Sequence, residues 1–119
     1  MAHEKILQQL DERRTKARAM GGEKKLARRS NRGQLNAWER MEAFVDKGSF
    51  IETGLLGASS ISREDEAQTP RDGKLVGFAK IDGRDIGLCV NDFTVKGAST
   101  SATNSKKMGH ARSVATAKG

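Results

Sequence analysis

The apolar residues of the N-terminal third are sparse and follow a helical spacing. A thin stripe of isoleucine and leucine lies within a helix predicted over residues 3 to about 19. The paired glycines Gly21 and Gly22 break this helix, and a second, shorter helix is predicted from Glu23 to about Ser30. Both segments are otherwise polar, so the pattern predicts helices with one narrow buried face.

A third helix is better specified by its apolar stripe. Asn36 is expected to cap its first turn, with Glu39 as the acidic half of a capping box, and Lys47-Gly48 ends it. Trp38 is expected to lie in the core rather than to form a ligand platform. The stripe recurs at steps of three and four residues through Leu35, Trp38, Met41 and Val45.

The second half of the chain changes to the pattern of strands. A short strand is predicted at residues 49–52, and two longer ones at residues 75–81 and 86–90. Asp82-Gly83 between the longer strands is the short-range signal of a β-hairpin, since glycine tolerates the positive φ of a type I′ turn. Strands that are apolar on both faces are typical of the interior of layered α/β structures, so Cys89 is expected to be buried.

Two less regular segments border the hairpin. Residues 57–72 are rich in serine and acidic residues and are predicted to form an exposed loop. Residues 91–99 carry small side chains, which let a ligand approach the backbone closely. A last helix is predicted from about Thr103 to Lys118, and its free N-terminal amides would face this loop and favour an anion. The fold class is therefore α/β, with a helical N-terminus followed by a β-hairpin and a helix.

Composition narrows the classes of function. With 119 residues, 35% of them hydrophobic, the chain buries a modest core, and part of its surface is expected to pack against more chain or a partner. The single cysteine excludes an internal disulfide, and His3 and His110 have no partner at catalytic or metal-ligating spacing, so no metal site is expected. Neither a signal peptide nor a run of ~20 apolar residues is visible, so a cytoplasmic location without membrane contact is expected.

The formal net charge is +7, and the basic excess is concentrated before residue 41. Such a charge attracts nucleic acid, an acidic surface or the phosphates of a nucleotide cofactor, and a solvated helix face explains it equally well. No aromatic residues are interleaved with the basic ones, which makes nucleic acid the less favoured partner. Five of the cations share one short stretch: Lys24, Lys25, Arg28, Arg29 and Arg32.

A further signal lies in short blocks that follow one another in a fixed order. The blocks are Gly21-Gly22-Glu23-Lys24-Lys25, residues 32–41, Gly48-Ser49-Phe50, residues 72–77, Ile81-Asp82-Gly83-Arg84 and residues 91–99. In order and spacing, the chain from about Arg18 to its last residue resembles the N-terminal region of carboxyltransferase β subunits. Propionyl-CoA, methylcrotonyl-CoA and related biotin-dependent acyl-CoA carboxylases share that opening.

This resemblance implies the N-terminal part of a crotonase-like (ClpP-like) fold, in an enzyme that transfers a carboxyl group from carboxybiotin to an acyl-CoA. It divides the chain into a basic helical N-terminal extension, residues 1–33, and a partial carboxyltransferase domain, residues 34–119. Acyl-CoA is the implied substrate. The implied partners are a biotin carrier protein or domain, a biotin carboxylase subunit and further copies of the chain, up to a hexamer. The family's oxyanion segment comes after residue 119, so this fragment is expected not to be catalytic alone.

By the same analogy, the loop after the second hairpin strand lies beside CoA. Lys96 would meet a phosphate, and backbone amides near Gly97 would supply further donors. Two positions depart from the family's pattern, because Ala98 replaces the second of two glycines and Arg71 replaces a glycine that follows Pro70. The candidate contacts are Phe93, Thr94, Val95, Lys96, Gly97, Ala98 and Ser99.

The tight turn at Asp82-Gly83 is expected to let the thioester cofactor lie against bare backbone. Two other functions stay open at this point: a small basic module that binds nucleic acid, and a module that docks its helices on a partner subunit. Steep salt dependence of DNA binding would favour the first of these alternatives.

Overall fold

A computed structural model of the protein describes residues 2–99 and 101–119. Within these residues, no helix is long and apolar enough to cross a bilayer. The predicted order of helices, hairpin and final helix is confirmed. The elements are α1 (Ala2–Arg18), α2 (Glu23–Asn31), α3 (Ala37–Phe44), β1 (Ile51–Thr53), α4 (Arg63–Gln68), a 3₁₀ turn (Pro70–Gly73), β2 (Lys74–Ile81), β3 (Arg84–Asn91), a second 3₁₀ turn (Lys96–Ala98) and α5 (Ala102–Lys118).

The capping box predicted for α3 is present. The Asn36 side chain accepts a hydrogen bond from the Glu39 amide at 2.9 Å, and the Glu39 carboxylate accepts one from the Asn36 amide at 3.1 Å. Trp38 on this helix is half-buried, donates to Glu42 at 2.9 Å and meets the Phe50 ring edge-on at 5.9 Å. The helix is therefore capped as predicted, whereas Trp38 packs against Phe50 at the edge of the core and not within it.

The three strands form one antiparallel sheet in the order β1-β2-β3. Phe78 in the central strand pairs with Ile51 on one side and Gly87 on the other. Asp82 and Gly83 have φ of 50° and 78°, so the hairpin turn is as predicted. The hairpin is the most regular part of the molecule, and it carries the chain to the loop that follows Asn91.

Helices cover both faces of the sheet, with α5 and α3 each packed against β2 and β3. Small residues set the approach of α5, because a Cβ on Gly87 would lie 3.3 Å from the Ala115 Cβ. The prediction that Cys89 is buried is wrong, since its side chain is exposed. β3 is an edge strand of the sheet. The part of α5 that faces β3 consists of small residues such as Ala115, and they do not cover the Cys89 thiol.

The exposed loop predicted at residues 57–72 is in part wrong. α4 lies within it, capped by Ser62, whose hydroxyl accepts a hydrogen bond from the Asp65 amide at 3.1 Å. The Thr69 hydroxyl donates to the Asp65 carbonyl at 2.6 Å and accepts from the Ser59 amide at 2.8 Å. Thr69, Arg71 and Asp72 are buried. Polar residues enter the interior here because each finds a hydrogen-bond partner inside the chain.

Candidate functional site

The candidate site is the stretch of residues 93–99, which we term the post-hairpin loop. The buried Asp92 fixes its start, because its amide donates to the Gly73 carbonyl at 2.9 Å. Its carboxylate accepts hydrogen bonds from the Thr94 amide at 3.0 Å and from the Thr94 hydroxyl at 2.5 Å. The chain therefore leaves β3 in a fixed direction.

The middle of the post-hairpin loop has a left-handed backbone. Lys96, Gly97 and Ala98 have φ of 43°, 60° and 59°. This conformation costs roughly 1–2 kcal/mol for a residue with a side chain, so the surrounding structure must hold it. The Ala98 amide donates to the Val95 carbonyl at 2.8 Å, and the Ser99 hydroxyl donates to the Lys96 carbonyl at 2.6 Å. These bonds close the loop into a compact turn.

The structure divides the seven predicted contact residues into two groups. The side chains of Thr94, Val95 and Ala98 are buried, so they pack into the interior beneath the loop and cannot contact a ligand at its surface. The side chains that face solvent are those of Phe93, Lys96 and Ser99, and Gly97 adds exposed backbone. A ligand at this surface therefore meets an aromatic ring, an ammonium group, a hydroxyl and open main chain.

The N-terminal helices are joined to the post-hairpin loop at Gly21. Its amide donates to the Thr94 hydroxyl at 2.9 Å, and a Cβ at this position would lie 2.1 Å from the Thr94 carbonyl oxygen. The glycine that breaks the helix is thus also required by this close approach. One turn into α2, the Lys25 ammonium donates to the same carbonyl at 3.3 Å. The basic stretch and the post-hairpin loop lie far apart along the chain but are adjacent in space.

Two arginines flank the exposed ring of Phe93, and neither was predicted as a site residue. The guanidinium carbons of Arg29 and Arg40 lie 5.9 Å and 5.7 Å from the ring centroid. Arg29 also donates to the Leu35 carbonyl at 3.0 Å, and Arg40 donates to the Asn91 carbonyl. The buried Arg40 Nε has no hydrogen-bond partner among the described residues. The basic run pointed to Arg29, but no local spacing links either arginine to Phe93.

Lys96 extends from the post-hairpin loop to α4, where its ammonium pairs with the Asp65 carboxylate. The hydrogen bond from Lys96 is the main cause that lowers the pKa of Asp65. The Lys96 side chain is 47% exposed, so the pair is open to solvent and to competing anions. The predicted phosphate contact therefore has an internal carboxylate partner that a ligand would have to displace.

Two predicted ligand positions are filled by the chain itself. The anion at the N-terminus of α5 is Asp72, whose carboxylate accepts from the Asn104 amide at 3.0 Å and from the Ser101 hydroxyl. The hairpin turn is exposed, but the Asp82 and Gly83 amides both donate to the Asp46 carboxylate at 2.8 Å. The expectation of bare backbone at this turn is therefore wrong. Within residues 2–99 and 101–119, no group of three His, Cys, Asp or Glu side chains is placed to hold a metal ion.

The sequence of the chain is similar to the sequences of known proteins. Residues 28–119 match the family described as the carboxyl transferase domain. The propionyl-CoA carboxylase beta chain of Roseobacter denitrificans is 38% identical over 106 residues, which are 87% of this chain and 21% of that protein. The methylmalonyl-CoA carboxyltransferase 12S subunit of Propionibacterium freudenreichii subsp. shermanii is 34% identical over 86% of this chain and 20% of its own length. The chain spans about a fifth of the length of these relatives.

The fold of the chain is also similar to that of solved structures. The transcarboxylase 12S structure with methylmalonyl-coenzyme A and methylmalonic acid bound superposes with a TM-score of 0.79 at 31% identity, over 91% of this chain and 22% of that one. A single-chain, multi-domain long-chain acyl-CoA carboxylase gives a TM-score of 0.83 at 26% identity, over 95% of this chain and 12% of that one. The similarity therefore extends over nearly the whole chain in both sequence and structure.

Proposed function

Because the chain belongs to the carboxyl transferase domain family, whose pattern covers residues 28–119, we propose that it supplies the acyl-CoA-binding surface of a biotin-dependent carboxyltransferase subunit. Its fold is the N-terminal part of the crotonase-like architecture, which agrees with the sequence prediction. The observation that carries the proposal is the cationic, aromatic surface at the post-hairpin loop. One of the similar structures holds methylmalonyl-coenzyme A, so a ligand of this chemistry is the natural one to test.

The chemistry of CoA suits the groups that this surface presents. Its nucleotide end combines a planar base with several phosphates, and exposed aromatic faces bind bases by stacking. Phe93 is an exposed aromatic residue with Arg29 and Arg40 against its ring, and a base that stacks on it would take the place of one guanidinium. Phosphates are bound by guanidinium and ammonium groups, and the ammonium groups here are those of Lys96 on the loop and of Lys25 on α2, which donates to the Thr94 carbonyl of the loop. We propose that Phe93 stacks the base and that these cations bind the phosphates.

The reaction needs groups beyond this surface. Carboxyl transfer requires donors that stabilise the enolate formed at the CoA thioester, and the backbone of a preorganised oxyanion hole supplies them in enzymes of this kind. We propose that these donors and the biotin site lie in the rest of a longer subunit, and that biotin arrives on a carrier protein or domain loaded by a biotin carboxylase. Assembly as a homo-oligomer is part of the same proposal, since the similar transcarboxylase 12S is a hexamer.

Titration of the 119-residue chain with coenzyme A by calorimetry tests the proposal, with Lys96→Ala as the first variant. We expect this variant to bind CoA about tenfold more weakly, the effect of losing one charged hydrogen bond to a phosphate. Lys80→Ala is the matched control, because Lys80 is also an exposed lysine paired with an aspartate, at 2.8 Å from Asp85. Phe93→Leu is expected to weaken binding further by removing the stacking face.

The outcomes of this titration are distinct. Absence of saturable CoA binding by the parent chain rejects the proposed function. Equal affinity in Lys96→Ala, Lys80→Ala and the parent removes Lys96 from the phosphate site. Duplex DNA that competes with CoA and shows a steeper salt dependence would instead assign the basic surface to nucleic acid.

A further inference from the structure

Lys74 is a buried lysine at the start of β2. Its residue is 6% exposed, and its ammonium donates to the Asn91 side-chain oxygen at 2.7 Å and to the Ala98 carbonyl at 2.9 Å. A buried charge is retained only where hydrogen bonds replace its hydration. One of these bonds ends on the last strand residue of the hairpin and the other on the post-hairpin loop, so the lysine joins the two.

We propose that Lys74 is a positioning residue that holds the post-hairpin loop in its left-handed conformation and so presents Lys96 and Gly97 to CoA. The inference rests on the proposed function, because it assumes that this loop contacts CoA. Lys74 itself touches no ligand in this proposal, since its ammonium is buried beneath the loop.

The strain in the loop explains why such a residue is needed. Lys96 and Ala98 both carry side chains at positive φ, and this conformation persists only where the surroundings over-determine it. The Asn104 side-chain amide holds the Ser99 carbonyl at 2.7 Å, one residue beyond the left-handed turn. The bond from Lys74 reaches the turn itself at Ala98 and is charge-assisted, which makes it about twice as strong as a neutral hydrogen bond.

Close packing under the turn limits the ways in which it can relax. A Cβ on Gly73 would lie 3.4 Å from the Ala98 Cα and 3.3 Å from the Val95 carbonyl oxygen. The loop therefore rests directly on the backbone of the residue that precedes Lys74. Without the ammonium bond, the Ala98 carbonyl loses its partner, and the loop is free to turn outward, away from this contact.

The test compares Lys74→Met with the parent in the 119-residue chain, using amide hydrogen exchange and CoA calorimetry. We expect exchange to accelerate at least tenfold at Ala98 and Ser99, and CoA binding to weaken about tenfold, because the variant loses both charged hydrogen bonds of Lys74, including the one that ends on the loop. Adding Ala98→Gly to Lys74→Met should restore part of the exchange protection and part of the CoA affinity, because glycine adopts positive φ without strain. Lys106→Met removes an exposed lysine of α5 and should change neither measurement.

Exchange that is unchanged at Ala98 and Ser99, or that rises equally throughout β2 and β3, would overturn the positioning role. If Lys74→Met does not fold, recovery of folding by Ala98→Gly supports the coupling, and failure of the double variant to fold rejects it. A parent chain that binds no CoA defeats the proposed function, whereas the exchange comparison still decides whether Lys74 positions the loop.

Discussion

Two stretches of three left-handed residues lie against each other at one end of the sheet. The inner run is Arg71–Gly73, with φ of 55°, 49° and 71°, and the outer run is Lys96–Ala98, with φ of 43°, 60° and 59°. All three residues of the inner run are buried, whereas Lys96 and Gly97 of the outer run are exposed. The same unusual backbone geometry therefore occurs in two different environments.

The inner run is stabilised by its own side chains. Arg71 forms a two-pronged ion pair with Glu52, at 2.7 Å and 2.9 Å, and its guanidinium lies 5.6 Å from the centre of the Trp38 ring. Asp72 caps the N-terminus of α5. In the outer run, the Lys96 side chain pairs with Asp65 in a solvent-exposed position, and the Ala98 carbonyl accepts a hydrogen bond from the buried Lys74 ammonium. The comparison teaches that left-handed backbone alone does not mark a functional site, since of the two runs only the outer one exposes residues, Lys96 and Gly97, to a ligand.

Removal of the Arg71 side chain is the strongest test of the inner run. Arg71→Met leaves the Glu52 carboxylate without its partner in a site where the two side chains are 3% and 13% exposed. Breaking a buried ion pair in this way is expected to lower the free energy of unfolding by about 3 kcal/mol or more. Urea denaturation measures the loss, and Arg63→Met, on the exposed face of α4, should cost less than about 0.5 kcal/mol. Equal losses in the two variants would contradict the structural role of the pair.

The pH dependence of stability reports on the same inner run. The Lys107 ammonium donates to the Arg71 and Lys74 carbonyls at 2.7 Å and 2.8 Å, and burial lowers its pKa from 10.5 to about 8. Between these values the unfolded chain holds more protons than the folded one, so the folded state gains stability as the pH rises through this range. The cost of burying the charged lysine is fully present below pH 8.

The measurement compares the parent with Lys107→Met at pH 7.5 and at pH 9.5 by urea denaturation. Relative to the variant, the parent should gain about 1 kcal/mol at the higher pH, a value reduced for solvent screening of a partly exposed group. Since Lys107→Met loses the same hydrogen bonds at both pH values, the difference isolates the titration. A relative loss at the higher pH would show that the carbonyl bonds, and not burial, dominate the pKa of Lys107.

The sequence predicted those parts of the fold whose cause is local. The capping box of α3 and the Asp82-Gly83 turn each depend on residues within a few positions of one another, and both are present as predicted. The buried polar residues near Arg71 were assigned to an exposed loop, because their partners lie in other elements. Phe93 was predicted as a contact without its flanking arginines for the same reason, since only the folded chain brings α2 and α3 to the loop.

The resemblance to acyl-CoA carboxylases predicted the crotonase-like fold and a CoA contact at the post-hairpin loop, which local patterns alone did not. The two positions at which this chain departs from the family now have a physical explanation. Arg71 and Ala98 stand where that resemblance leads us to expect glycine, and both have positive φ, one in each run. In the inner run, the arginine offsets its backbone strain with a buried ion pair. In the outer run, the alanine has only a methyl group, so its strain is offset by the bond from Lys74 to its carbonyl.

A glycine substitution in each run should therefore have opposite effects. Ala98→Gly removes a left-handed strain of roughly 1–2 kcal/mol, while the added freedom of the unfolded chain costs about 0.5–1 kcal/mol, so we expect a net gain of about 0.5–1 kcal/mol in the free energy of unfolding. Arg71→Gly relieves similar strain but loses the ion pair, so it should destabilise the chain. Gly97→Ala is the control that isolates backbone strain. Its added Cβ would meet no atom within 4 Å, so the strain of a side chain at a φ of 60° is the only cost of the substitution in the folded state. Urea denaturation of the three variants measures these changes. If both glycine substitutions stabilise the chain, the Arg71 ion pair does not offset the backbone strain of the inner run, and the comparison of the two runs fails.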